Sequence, residues 1–190
     1  FRTDAAWDYG FPELKGQKAK IQNSYRVAVP GCYASGFISI ARPLVELGLV
    51  PQSYPFSCTG ISGYSGGGKK MIADYESPDR PAHSKLDAPK SYGLGLAHKH
   101  LPEMQKISGL EKKPMFTPIV DDYYNGMVVC VPIQAAISGF SLEPERVQEM
   151  LERHYAGSNF VHVQPLKTPA EMTATKLSCN CLLYTSPSPR

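Results

Sequence analysis

Cys32 lies in Pro30-Gly31-Cys32-Tyr33-Ala34-Ser35-Gly36, where an extended segment, Arg26-Val27-Ala28-Val29, gives way to an amphipathic helix. A thiol at a helix start meets the positive end of the macrodipole and several unpaired backbone N–H groups. These favour thiolate over thiol and can hold the oxyanion formed when sulfur attacks a carbonyl. A free cysteine is more often a small buried apolar residue than a reagent. Here Gly31 permits a tight approach, and small residues at Ala34, Ser35 and Gly36 leave room for a ligand. Cys32 is therefore the leading nucleophile candidate.

Two further features carry chemistry. Ser62-Gly63-Tyr64-Ser65-Gly66-Gly67-Gly68-Lys69-Lys70 is a glycine-rich turn; backbone without side chains can approach a phosphate closely, with N–H groups as an anion nest and a lysine adding charge. It satisfies neither the Walker pattern nor G-x-G-x-x-G in a strand-to-helix setting. Ala97-His98-Lys99-His100-Leu101-Pro102-Glu103 is the other. On an extended chain His98 and His100 point the same way and Lys99 points opposite, so either histidine is a candidate acid/base partner for Cys32. No third ligand lies at a familiar spacing from the pair, and no metal site is expected.

The elements that must position these residues read as mixed α and β. Phe37, Ile40, Ala41, Leu44 and Val45 follow the spacing of a core-facing helical stripe, ended by Gly48 and Pro51. Strands are expected over residues 54–60, 92–100, 115–120, 127–133 and 159–163, a loop over 77–90, and a second helix over 145–155 with Val147, Met150 and Leu151 on one side. The resulting fold class is α+β, a mostly antiparallel sheet with helices on one face. Twenty basic and 17 acidic residues give a net charge of +3, too weak and dispersed to imply nucleic acid. No apolar run reaches the length of a membrane span, so no membrane partner is expected. Five cysteines without zinc-like spacing point to free thiols in a reducing compartment.

These features, with Trp7-Asp8-Tyr9-Gly10-Phe11-Pro12-Glu13-Leu14 before them and Phe116-Thr117-Pro118 and Tyr124-Asn125-Gly126-Met127 after, resemble in content and order N-acetyl-gamma-glutamyl-phosphate reductase, in its shorter, type 2 branch. The resemblance covers roughly residues 1–177. It implies the C-terminal domain of glyceraldehyde-3-phosphate and aspartate-semialdehyde dehydrogenase-like proteins, with a remnant of an α/β Rossmann domain at the N-terminus. Residues 1–31 would be the trailing part of a truncated NADP-binding domain, 32–178 the catalytic and dimerisation domain, and 179–190 a non-native tail.

The resemblance further implies NADPH-dependent reduction of N-acetyl-L-glutamyl 5-phosphate to the 5-semialdehyde through a cysteine thioester, in arginine biosynthesis. Cys32 would be the nucleophile, and His98 and His100 would serve proton transfer. Ser62, Gly63, Ser65, Gly66 and Gly67 would lie beside NADP(H). Arg2, Lys69 and Lys99 are candidates to hold the carboxylate or phosphate of a small acyl phosphate. The implied enzyme is cytoplasmic and a homo-oligomer at full length, and the isolated chain should turn over little. The alternatives are an aspartate-semialdehyde dehydrogenase-like reductase, a cofactor-independent cysteine hydrolase and a module that only dimerises.

Overall fold

The computed structural model describes residues 1–138, 143–166 and 182–184. Two short parallel strands, β1 (Asp8–Tyr9) and β2 (Val27–Ala28), flank a helix, α1 (Gln17–Gln22). The chain then enters its longest helix, α2 (Cys32–Glu46). Phe37, Ala41 and Leu44 are buried as the stripe requires, and Ile38 is buried as well, because helix and strand neighbours cover more than one side of α2. Burying Phe37, Ile38 and Leu44 contributes about 1.5–3 kcal/mol each.

Pro43 sits inside α2 and has no N–H for the Ser39 carbonyl one turn back. The buried hydroxyl of Tyr155 donates to that carbonyl at 2.6 Å. Tyr155 is the C-cap of α6 (Pro144–His154), whose Val147 and Leu151 are buried as expected. One hydroxyl thus repairs a proline break and docks a distant helix, an interaction of about 1 kcal/mol.

The main sheet has the order β4-β5-β3-β6, with β3 at Ser57–Gly63, β4 at Lys90–Ser91, β5 at Met115–Asp121 and β6 at Met127–Cys130. Two of its three junctions, β4 with β5 and β3 with β6, are antiparallel, whereas the longest, β3 with β5, is parallel. Cys58, Phe116 and Val120 on the helix-covered face are buried. On the other face Met115 is 61% exposed, and Ile61, Ile119 and Val128 are only partly covered. Helices on one face of an α+β sheet are the expected arrangement.

Residues 92–100 are not the expected strand. Only Lys90–Ser91 pair with β5, after which the chain turns, with positive φ at Gly93 and Leu96. Gly93 and Gly95 break the alternation and supply no side chain to pack on a sheet. Two helices follow features that carry no helical expectation in the sequence: α3 (Lys69–Tyr75), directly after the glycine turn, and α4 (Leu101–Ser108), with Pro102 in its first turn and Gly109 at its end. A four-residue helix, α5 (Ala135–Ser138), follows β6. β7 (Val161–Val163) pairs in parallel with β8 (Leu182–Tyr184), so these three residues of the expected tail are strand. Cys179 and Cys181 lie outside the described residues.

Candidate active site

Gly31 is the N-cap of α2 in extended conformation and Cys32 is the first helical residue, its side chain exposed. The turn is fixed by the Ser35 N–H, which donates to the Gly31 carbonyl at 2.8 Å. A Cβ at position 31 would fall on the His100 ring and the Glu103 carboxylate. Glycine is thus what allows α4 to press against the residue before Cys32.

Glu103 is the centre of that contact. It is 1% exposed and accepts hydrogen bonds from the Arg2 guanidinium at 3.0 Å, the Tyr9 hydroxyl at 2.9 Å and the Gly31 N–H at 3.1 Å. His100 Nε2 lies 4.0 Å from its Oε1. Burial, and then the Glu103 charge, push the Tyr9 hydroxyl well above its usual range, so it remains a donor. One buried carboxylate therefore joins the N-terminal segment, the Cys32 turn and a histidine.

The histidines meet although they are not on a strand. His98 is in the turn before α4 and His100 is its N-cap, with ring centroids 4.6 Å apart. The His100 N–H donates to His98 Nδ1 at 3.2 Å, which leaves the proton of neutral His98 on Nε2. His100 Nδ1 is buried with no hydrogen-bond partner among the described residues, an imidazole nitrogen able to take a proton. Burial, then His98, Arg2 and Lys99, push the His100 pKa down to about 4. Burial and Lys99 also lower His98. Both rings are accordingly neutral at pH 7.

A stability prediction follows from these directions. Between the ordinary value of 6.5 and about 4 the unfolded chain binds a proton at position 100 that the folded chain does not. Stability therefore rises with pH across that window and is lost as pH falls through it. Urea unfolding from pH 7 to pH 4 should show this loss, and His100→Gln should flatten it. An equally steep profile in the variant would assign the effect elsewhere.

Tyr33 links Cys32 to the glycine turn. Its buried hydroxyl is 2.7 Å from Ser62 Oγ and donates to the Ile119 carbonyl at 3.0 Å. Its ring passes so close to Gly60 that a Cβ there would come within 2.5 Å of it. Tyr92, half-buried, lies beside His98, ring centroids 5.8 Å apart, and burial pushes its hydroxyl above the usual range. Cys32, the histidine pair and the start of the glycine turn thus surround one aromatic centre.

Residues 32–189 match the family described as semialdehyde dehydrogenase, dimerisation domain. The chain belongs to this family. It is 43% identical over 166 residues to N-acetyl-gamma-glutamyl-phosphate reductase 2 of Pseudomonas putida, covering 87% of this chain and 52% of that one. The reductase of Rhizobium etli is 42% identical over 182 residues, covering 93% and 58%. The chain thus spans about half the length of the curated relatives it matches. Aspartate semialdehyde dehydrogenase II of Vibrio cholerae superposes with a TM-score of 0.61 at 17% identity, over 90% of this chain and 55% of that one, a likeness of fold.

In this semialdehyde dehydrogenase domain the His98 and His100 rings pack against Tyr33, and His100 against Gly31, the two chain neighbours of Cys32, while Ser62 meets the Tyr33 hydroxyl. The other expectations fare differently. Arg2 is already bonded to Glu103 and, through Nε, to the Val29 carbonyl, so its charge answers a buried carboxylate. The N–H groups of Gly63, Tyr64 and Ser65 donate to the carbonyls of Gly126, Tyr123 and Tyr124, so that part of the turn is not an open anion nest. Gly66, Gly67, Gly68, Lys69 and Lys99 are exposed.

Glu103 and Tyr92 are the residues that sequence reasoning passed over. Glu103 had a usable signal: Pro102 marks a helix start, and a helix places positions 100 and 103 on one face. Tyr92 had none: its N–H donates to the Pro118 carbonyl of β5, and that its ring meets His98 is decided by the turn that follows.

Proposed function

We propose that the complete protein reduces N-acetyl-L-glutamyl 5-phosphate to N-acetyl-L-glutamate 5-semialdehyde with NADPH, a step of arginine biosynthesis in the cytoplasm. The observation that carries this is an exposed cysteine at the start of a 15-residue helix, with a histidine ring pressed against the preceding glycine. The names of the curated relatives support the choice of substrate. Residues 1–31 are then the trailing part of the nucleotide domain, and 32–178 the catalytic and dimerisation domain.

The Cys32 sulfur bonds to the acyl carbon as the bond from that carbon to the phosphate oxygen breaks, giving a thioester and inorganic phosphate. Backbone N–H groups at the start of α2 face the developing oxyanion. NADPH, when bound, supplies the hydride that reduces the thioester carbon. The thiohemiacetal oxyanion so formed collapses as the carbon–sulfur bond breaks, releasing aldehyde and restoring the thiolate; a histidine ring N–H would hold or protonate that oxyanion, and in the reverse direction a neutral histidine would take the hydroxyl proton. Lys99, exposed beside the histidines, and Lys69 would hold the phosphate or carboxylate.

The glycine turn fits a place for the nicotinamide nucleotide. Gly66–Gly68 present side-chain-free, exposed backbone, and Ser62 in β3 connects that surface to the Cys32 helix through Tyr33. The uncovered sheet face, carrying Met115, Thr117, Ile61, Ile119 and Val128, gives a second copy a surface to pack on and supports a homo-oligomer.

The assay is run in the thermodynamically easy direction: the semialdehyde, phosphate and NADP⁺, read at the absorbance of NADPH. Phosphate-dependent NADPH formation with the N-acetylglutamate semialdehyde is expected. Turnover with aspartate semialdehyde alone would move the protein to the neighbouring reductase. Ester or amide hydrolysis indifferent to nucleotide would make it a hydrolase.

A further inference from the structure

We propose that Arg80 is a positioning residue that clasps the glycine turn and thereby sets the affinity for the nicotinamide nucleotide; this rests on the reading of that turn as the nucleotide's neighbour. Arg80 lies in the loop after α3, its side chain 18% exposed. Its guanidinium grips Asp122 with both nitrogens, at 3.2 and 2.6 Å, bonds Asp87, and donates to the Tyr75 carbonyl at 3.1 Å. It also lies over the Tyr75 ring, 5.5 Å from the centroid.

These partners border the glycine turn from both sides. Asp122 immediately precedes the carbonyls of Tyr123, Tyr124 and Gly126, which receive the N–H groups of Tyr64, Ser65 and Gly63 at 2.9, 3.0 and 3.1 Å. Tyr75 ends the helix that begins where the turn ends, and its ring stacks on that of Tyr64 at 4.7 Å and 11°. The Tyr64 ring meets Tyr124 edge-on at 5.8 Å. The turn holds four glycines between positions 63 and 68, the least self-supporting backbone there is. Its shape is imposed from outside, and one planar, forked cation connects the pieces that impose it. None of these contacts reaches Cys32 or the histidines.

The test is made on the complete protein with Arg80→Gln, Arg80→Lys and Asp122→Asn. Amide hydrogen exchange at Tyr64 and Ser65 should rise roughly tenfold in Arg80→Gln and Asp122→Asn while Cys58 in β3 stays protected. The KM for NADPH should rise roughly tenfold with kcat within about twofold. Arg80→Lys, which keeps the charge and loses the fork, should fall between. Unchanged exchange in both the glutamine and asparagine variants overturns the clasp, as does an equal fall in kcat and kcat/KM. Faster exchange with an unchanged KM upholds the clasp and removes the glycine turn from the nucleotide site. Should Arg80→Gln lose protection everywhere, Arg80→Lys and Asp122→Asn decide by the same readings.

Discussion

Cys32→Ser in the complete protein loses semialdehyde oxidation and acyl-phosphate reduction by about 10⁴-fold or more, the scale on which removing a covalent nucleophile acts. The substitution changes one atom at an exposed helix start, so fold and ligand binding should persist. A serine hydroxyl lacks the nucleophilicity of sulfur. Iodoacetamide offers a second reading. Cys58 is 2% exposed and burial pushes its thiol up to about 12, so it should not react. Cys32 and Cys130 are exposed and should be alkylated. Substrate should protect Cys32 and leave Cys130 unaffected, because Cys130 is at the end of β6 on the sheet face that carries Ile61 and Val128, away from the helix-covered side. Turnover surviving above about a hundredth of the starting rate would remove Cys32 from the chemistry.

Glu103→Gln should destabilise the protein by about 3 kcal/mol, the lower end of what breaking a buried ion pair costs. The lower end applies because Arg2 remains 28% exposed while Glu103 is 1% exposed. The carboxylate accepts from three donors of different origin, namely a guanidinium, a phenol and a backbone N–H. An amide has one acceptor oxygen, so its NH₂ must face at least one of those donors. The loss should appear as a lower urea midpoint with an unchanged slope. Adding Arg2→Met should restore part of it, since no buried-facing charge is then left without its partner. Activity should fall more than stability requires, because the same carboxylate holds Gly31 next to Cys32 and borders His100. A midpoint shift worth under about 0.5 kcal/mol would show that Glu103 is not the joint between these segments.

Local features were legible where the residues themselves dictate the geometry. Gly31 and the small residues after Cys32 mark a helix start, and the stripe of Phe37, Ile40, Ala41 and Leu44 fixes which side of α2 is buried. Strands β3 and β5 were found, but not their parallel pairing, which depends on a long connection and not on either strand's own pattern. The convergence of His98 and His100 was anticipated from the alternation of a strand, yet the structure achieves it with a turn and a helix cap. The glycine turn was visible as flexible backbone; that the N–H groups of Gly63, Tyr64 and Ser65 are occupied by carbonyls of Gly126, Tyr123 and Tyr124 was not.

The sequence by itself determined the reactive inventory of this semialdehyde dehydrogenase domain. It named a cysteine at a helix start, two histidines two residues apart and a side-chain-free turn, because residue type and short spacing act through local backbone geometry. Only the tertiary structure decided which charges answer each other. Arg2 reads as a free cation able to bind an anion until a carboxylate 101 residues away is buried against it. Glu103 reads as an ordinary helix residue until burial removes its water and leaves three protein donors as its solvation. Desolvation and long-range pairing are properties of the packed chain, and they are what tie Arg2 to Glu103 and keep His100 neutral at pH 7.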